Sequence, residues 1–247
     1  MNIDLRWLPP VLVSGMLSRR KAKTLQEQVY QKVRADILAG KLRPGLRLKL
    51  AALRAEHRVS LSVVREALTR LAEQKLLRLR PQQGFEVASL SVPDILDLTA
   101  VRIAIEGLAL RRAIELGDVA WEARVVAANH VLGATPRDDF SDGTRRLSEA
   151  WAAAHAGFHA ALIDACGSPI LQDICRSLYD ASEFYRRWTY SESGFPRDVV
   201  VEHRGLMEAT LARDTERAVA LLTRHFENTT RTVLARLPTI SPAPASR

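Results

Sequence analysis

Of the six histidines, four in the second half of the chain lie at positions that suit metal binding. His155 and His159 are four residues apart in a segment with helical periodicity, so both rings project from one helix face. His203 and His225 lie in the last two predicted helices. Neutral imidazoles that converge from three helices are suitable ligands for a borderline divalent cation. The alternative is that they are ordinary core residues, because an i, i+4 pair of histidines also arises by chance.

Arg102 is a second candidate for chemistry, because it occupies an otherwise apolar helix face. Burying an arginine is costly unless an anion accompanies it. The planar guanidinium matches a carboxylate, which predicts a role in binding an anionic effector. Glu106 lies four residues later and offers the simpler alternative of an ion pair within the helix.

The elements that position these residues are helical almost throughout. After residue 90 the chain shows helical periodicity and no strand-like alternation, and Ser91 or Asp94 can cap the first helix. The predicted helices span residues 93–116, 119–132, 142–166, 169–189, 197–212 and 214–236. The two cysteines, Cys166 and Cys175, lie in apolar helical stretches and predict no disulfide framework, which fits a reducing cytoplasm.

The first half of the chain differs sharply in charge from the second. Before Leu90 there are 18 Lys and Arg against 7 Asp and Glu, a net charge of +11, and from there on 18 against 21, a net charge of −3. A basic module joined to a mildly acidic one indicates that the first half binds a polyanion such as nucleic acid. The alternative, a merely solvated surface, does not explain the asymmetry.

The local patterns of the first half predict a DNA-binding module. Helices are predicted over residues 24–39, 50–57 and 60–74, with Ser60 as the cap of the third. The second and third are joined by a short turn, the geometry that places a recognition helix in the major groove. Strands predicted at 76–80 and 85–88 enclose a turn and form a small wing.

The run "AGKLRPGLRL" followed by "VSLSVVREALTRLAEQKLLRLRPQQGFEVA" resembles the N-terminal domain of GntR-family transcription factors over about residues 24 to 89. The resemblance implies that Ser60 and Ser62 at the start of the recognition helix, Arg65 and Arg70 in or near it, and Gly84 in the wing approach DNA. Leu61 and Val63 depart from the residues common there in the family, so the operator sequence does not follow.

The second half, with "LTAVRIAIEGLALRRA", "HAGFHAALIDACGSPIL" and "EHRGLMEATLARDTERAVALLTRHF", is similar to the FCD effector domain of the FadR subfamily over about residues 94 to 234. Metal-binding members hold one divalent ion, usually zinc or nickel, with one aspartate and three histidines. By position His159, His203 and His225 match the histidines, and His155 replaces the aspartate. This makes the site more positive and leaves open whether His155 binds the metal.

The same resemblance places Arg102 near the metal and makes Tyr185, Arg186 and Arg187 weaker candidates for the distal end of an effector. The region is also similar to carbon-starvation-type regulators that sense glutarate. A short dicarboxylate is therefore the expected effector.

The expected protein is mainly α-helical, with a winged helix-turn-helix at residues 23–90 and an all-helical effector-binding and dimerisation domain at residues 91–237. Residues 1–22 are expected to form a flexible arm and residues 238–247 a disordered tail. The expected function is a cytoplasmic, homodimeric regulator, by analogy a repressor, that binds a double-stranded DNA operator and contacts no membrane. Two alternatives stay open: a metal-dependent hydrolase that uses the histidine cluster, and an architectural DNA-binding protein with a purely structural metal.

Overall fold

The computed structural model describes residues 24–38, 41–89, 91–141, 143, 145–190 and 198–237. These residues form α1 (Leu25–Leu38), β1 (Arg47–Leu48), α2 (Leu50–His57), α3 (Leu61–Glu73), β2 (Leu77–Arg80), β3 (Gly84–Val87), α4 (Val92–Leu116), α5 (Val119–Ala134), β4 (Asp138–Asp139), β5 (Arg146–Leu147), α6 (Glu149–Ile163), α7 (Pro169–Trp188), α8 (Val199–Leu211) and α9 (Thr215–Leu234). The predicted arm and tail lie outside the described residues.

The first three helices begin and pack as their sequence pattern predicts. Thr24 accepts a hydrogen bond from the backbone N–H of Glu27 at 3.1 Å, and Ser60 accepts one from Val63 at 3.4 Å. These bonds satisfy amide groups that the first turn of a helix leaves without partners. The apolar stripe of α3 is fully buried, and it consists of Val64, Ala67, Leu68 and Leu71.

A small antiparallel sheet closes this domain. β2 pairs with β3, with Leu77 opposite Val87 and Arg80 opposite Gly84, and β1 pairs with the other edge of β3. Three helices and a small sheet are the predicted winged helix-turn-helix, which is confirmed.

The second half is a helical bundle in which α4 packs against α6, α7 and α9. α5 packs on α6 and α8, and α8 packs on α9. Large apolar side chains such as Trp121, Phe158 and Phe226 fill the core. The predicted all-helical class holds for this domain. Among the residues described, no helix combines the length and apolar character that a bilayer span requires.

The prediction of one helix over residues 142–166 is wrong at its start, where a hairpin of two short strands precedes the helix. Arg146 and Leu147 form β5, which pairs with Asp138–Asp139, and α6 begins only at Glu149. Arg145 donates to both carboxylate oxygens of Asp138, at 2.7 and 2.8 Å, which closes the hairpin. Ser148 then caps α6.

The two halves share one apolar core at their junction. Ile95 of α4, Phe184 and Tyr185 of α7 and Val233 of α9 are buried together with the core of the winged domain. The guanidinium of Arg34 on α1 pairs with Asp180 on α7. α7 therefore contacts both the DNA-binding domain and the interior of the bundle.

Candidate metal and effector site and DNA-binding face

Three helices bring the four histidines together. His155 and His159 come from α6, His203 from α8 and His225 from α9. One ring nitrogen from each lies within 4.8 Å of the others. The i, i+4 spacing on α6 therefore puts both of its rings on the face that meets α8 and α9.

All four histidines are buried, with exposed fractions between 2% and 5%. Burial holds the pKa of His155 well below its ordinary value of 6.5, and the charge of Arg186 lowers it further. Burial also holds the pKa of His159 well below 6.5, and the neighbouring His225 lowers it further. Both rings are neutral near pH 7, the form that coordinates a metal ion.

Glu202 on α8 fixes the orientation of His225. Its carboxylate lies 2.8 Å from Nδ1 of His225, and its other oxygen accepts from the side-chain amide of Asn228 at 3.1 Å. A carboxylate on Nδ1 holds the proton there and leaves the Nε2 lone pair for a metal ion, which is the usual arrangement around zinc-binding histidines. Sequence reasoning missed Glu202, although it stands next to His203.

The donor set suits a divalent cation. Nε2 of His159 is buried and, among the described residues, makes no hydrogen bond. A buried ring nitrogen without a partner is destabilising, and a metal ion in the cluster satisfies it. Imidazole donors fit zinc and nickel better than magnesium or calcium. The residues present would therefore hold such an ion, which supplies a Lewis acid to an anionic ligand.

Arg102 lies next to this cluster but already has partners. Its Nε donates to Oε1 of Glu106 at 2.6 Å, and its Nη1 donates to Ser182 at 2.7 Å. Its guanidinium lies 3.9 Å from the ring centroid of Phe226. The ion pair that the sequence offered as an alternative is therefore present, and an effector would have to share or displace Glu106.

Arg186 is the arginine that touches the histidine cluster. Its Nη1 lies 2.9 Å from Nδ1 of His155, and its Nη2 donates to Glu183. The hydroxyl of Tyr179 lies 2.8 Å from the same Nδ1 of His155. Tyr179 was not predicted, although it stands seven residues before Arg186 and so on the same helix face. Neighbouring Arg187 pairs with Glu183 and, across the bundle, with Glu149.

Tyr185 lies apart from the histidine cluster, and its predicted contact with the effector stays a prediction. It is buried in the core shared with the winged domain, and its hydroxyl interacts with Ser91 at the start of α4. One position along a helix turns the side chain by about 100°. Tyr185 therefore faces the winged domain, whereas Arg186 faces the histidines.

The predicted DNA-contacting residues fall on two faces. Ser60, Ser62 and Arg65 are exposed at the N-terminal end of α3, where the two hydroxyls lie 2.8 Å apart. Arg70 lies about 140° around the helix from Arg65. It pairs with Glu27 at 2.8 Å and stacks on a tyrosine ring of α1.

The wing turn contains Gly84, whose φ of +86° lies in the region that favours glycine. Gly84 opens β3 at the end of the wing. Three further exposed basic residues lie in α2 or at its ends and have no ion-pair partner among the described residues. They are Lys49, Arg54 and Arg58.

Comparison with known proteins agrees with both halves of this architecture. Residues 25–87 match the model of bacterial regulatory proteins of the gntR family, and residues 97–228 match the FCD domain. The chain belongs to the GntR family. The boundaries of both matches follow the winged domain and the helical bundle closely.

Two relatives show how far the similarity extends. The HTH-type transcriptional regulator BphR of Paraburkholderia xenovorans is 40% identical over 206 residues, which cover 83% of this chain and 84% of BphR. The HTH-type transcriptional repressor GlaR of Escherichia coli is 31% identical, over 80% of this chain and 90% of GlaR. The solved structure of E. coli McbR/YncC shares the fold, with a TM-score of 0.70 at 22% identity, over 87% of this chain and 99% of that one.

This GntR protein is therefore a DNA-binding transcriptional regulator. Its family and relatives are regulators rather than enzymes, which removes the hydrolase alternative.

Proposed function

We propose that this GntR regulator is a repressor that leaves its operator when a short dicarboxylate binds beside a divalent metal ion in the helical domain. The observation that carries the proposal is the buried cluster of four histidines beside buried arginines, in a domain that shares a core with the DNA-binding domain. The name of the relative GlaR, a repressor, supports the direction of regulation.

On the DNA side, α3 is the recognition helix and Arg65 is its main contact. Arg65 is exposed and without an ion pair among the described residues, so its planar fork is available for guanine or phosphate. Ser60, Ser62 and Gly84 complete the predicted face. Arg70 is a weaker candidate, because Glu27 already neutralises it.

In the helical domain, the metal ion is bound by His159, His203 and His225. His155 is the fourth histidine of the cluster and lies beside them. Charge balance supports a dianionic effector. Four arginines around the site are matched by four glutamates. They are Arg102, Arg137, Arg186 and Arg187 against Glu106, Glu149, Glu183 and Glu202. Because a metal ion binds histidine in its neutral form, a divalent cation leaves a charge of +2, which a dicarboxylate such as glutarate neutralises and a monocarboxylate does not.

The homodimer is proposed to form through α4 and α7. Both helices expose apolar side chains, with Leu108 49%, Val101 39% and Ile174 43% exposed. Val101 and Leu178 line one cleft, so the two helices present neighbouring parts of one surface. Burying such a surface against a second copy gives the two-fold symmetry that a palindromic operator needs.

Operator binding in the presence of ligand tests the whole proposal. Fluorescence anisotropy with labelled upstream DNA measures affinity for the zinc-loaded protein with and without glutarate, and random duplex of equal length is the control. We expect salt-sensitive preference for the upstream DNA and weaker binding when glutarate is added. Stabilisation by metal without any response to dicarboxylates would instead support the architectural alternative.

A further inference from the structure

Two arginines converge on a small cavity next to the histidine cluster. The cavity has a volume of about 20 Å³ and is lined by Arg137, Arg186 and His155, together with the rings of Trp151 and Tyr190. This volume is sufficient for about one water molecule. Arg137 comes from the segment between α5 and β4, so the two arginines approach from different elements.

Arg186 lacks one hydrogen-bond acceptor. Its side chain is 8% exposed, its Nη1 lies against His155, and its Nη2 binds Glu183. Its Nε is buried and has no hydrogen-bond partner among the described residues. Arginine has only donors, so the missing partner must be an acceptor such as a carboxylate oxygen.

Arg137 is positioned to complete a site for that acceptor. Its guanidinium lies 5.0 Å from the ring centroid of Trp151 and 5.7 Å from that of Tyr190. Burial lowers the pKa of Arg137, and the nearby charge of Arg186 lowers it further. Two guanidinium groups that repel each other across a cavity are stabilised by an anion placed between them.

The cavity adjoins a cleft of about 730 Å³, with which it shares Arg137, Trp151 and Val199. This outer cleft also carries Arg204 and His130, and Asp198 is the one acidic residue of its described lining. The cleft between the two domains, about 660 Å³, is less suited to an anion because four acidic residues in its lining outnumber three arginines. The acidic residues are Glu27, Glu106, Asp164 and Asp180.

We propose that one carboxylate of the effector places an oxygen between Arg137 and Arg186, and that the rest of the molecule lies in the outer cleft. The inference rests on the proposed function, since it takes a carboxylate effector as its ligand. It makes Arg137 an effector-binding residue and leaves Arg102, whose partners are Glu106 and Ser182, with a structural role.

Isothermal titration of the full-length, zinc-loaded protein with acetate, succinate and glutarate tests this site. Replacing Arg137→Gln removes a charged hydrogen bond, and we expect glutarate affinity to fall about 10- to 100-fold. Arg137→Lys restores the charge without the planar fork and should recover part of the affinity. The matched control is Arg124→Gln, which removes one positive charge from α5, where Arg124 forms an exposed ion pair with Asp164. The affinity of this control variant for glutarate should stay within about twofold of that of the parent protein.

The outcomes separate the inference from the proposed function. Glutarate binding that is unchanged in both Arg137 variants overturns the site between Arg137 and Arg186 but leaves a carboxylate effector in place. If the parent binds none of the three carboxylates, both proposals are overturned. The thermal midpoint of each ligand-free variant is measured first, to show that the variant is folded. If Arg137→Gln does not fold, the glutarate affinity of Arg137→Lys alone tests the site.

Discussion

Acid should destabilise the metal-free protein through its buried histidines. The pKa values of His155 and His159 lie well below 6.5, so the folded state binds fewer protons than the unfolded chain in mildly acidic solution. Their stabilising contribution is complete above pH 6.5 and is lost as the pH falls below that value. Between pH 7.5 and pH 5.5 each histidine should remove about 1.4 kcal/mol from the free energy of unfolding, or about 2.7 kcal/mol for the pair.

Urea denaturation of chelator-treated protein at pH 7.5, 6.5 and 5.5 measures this loss. In thermal scans it corresponds to a decrease of about 5–11 °C in Tm for a chain of this size. His130→Asn is the matched control, because His130 is exposed on α5 and its replacement should leave the slope unchanged. A free energy of unfolding that is equal at pH 7.5 and 5.5 would refute the argument that burial keeps these rings neutral.

Three further predictions concern DNA, metal and assembly. Arg65→Ala should weaken operator binding by about 1–3 kcal/mol, whereas Arg70→Ala should change it less, as measured by fluorescence anisotropy at fixed salt; equal losses would contradict the separation of their faces. Glu202→Gln should lower zinc affinity about 10- to 100-fold in competition titrations with a chromogenic chelator, because it removes the carboxylate on His225; unchanged affinity would exclude this positioning role. Leu108→Asp should shift the protein from dimer to monomer in sedimentation velocity, because it places a charge in the proposed interface; an intact dimer would move the interface elsewhere.

Local sequence patterns were sufficient for most of the fold. The stripe on α3 and the caps at Thr24 and Ser60 depend on neighbours within one or two turns, so periodicity and residue type could predict them. The hairpin before α6 was missed because its strands contain two residues each, too few to show alternation. An ion pair between Arg145 and Asp138 closes it, and the sequence spacing of that pair has no characteristic pattern.

The four histidines of the candidate site were predicted from the sequence, whereas Tyr179, Glu202 and Arg137 were not. The pair His155 and His159 is visible in the sequence because both residues share a helix face. Tyr179 and Arg137 come from other elements, and only the packing of the bundle brings them to His155 and Arg186. Tyr185 and Arg186 were grouped because they are neighbours in the sequence, but adjacent residues on a helix point in different directions.

α7 is the element through which ligand binding would reach the DNA-binding domain. Tyr179 contacts His155 in the histidine cluster, and the next residue, Asp180, pairs with Arg34 on α1. Arg186 lines the proposed ligand cavity, whereas Tyr185 is buried against the winged domain. Because consecutive residues of one helix face the two sites, α7 cannot rotate or shift at the cavity without changing its contacts with the winged domain. An effector that draws Arg186 toward the cavity would therefore act on the position of the DNA-binding domain through α7 alone. The other helices of the bundle need not transmit the change.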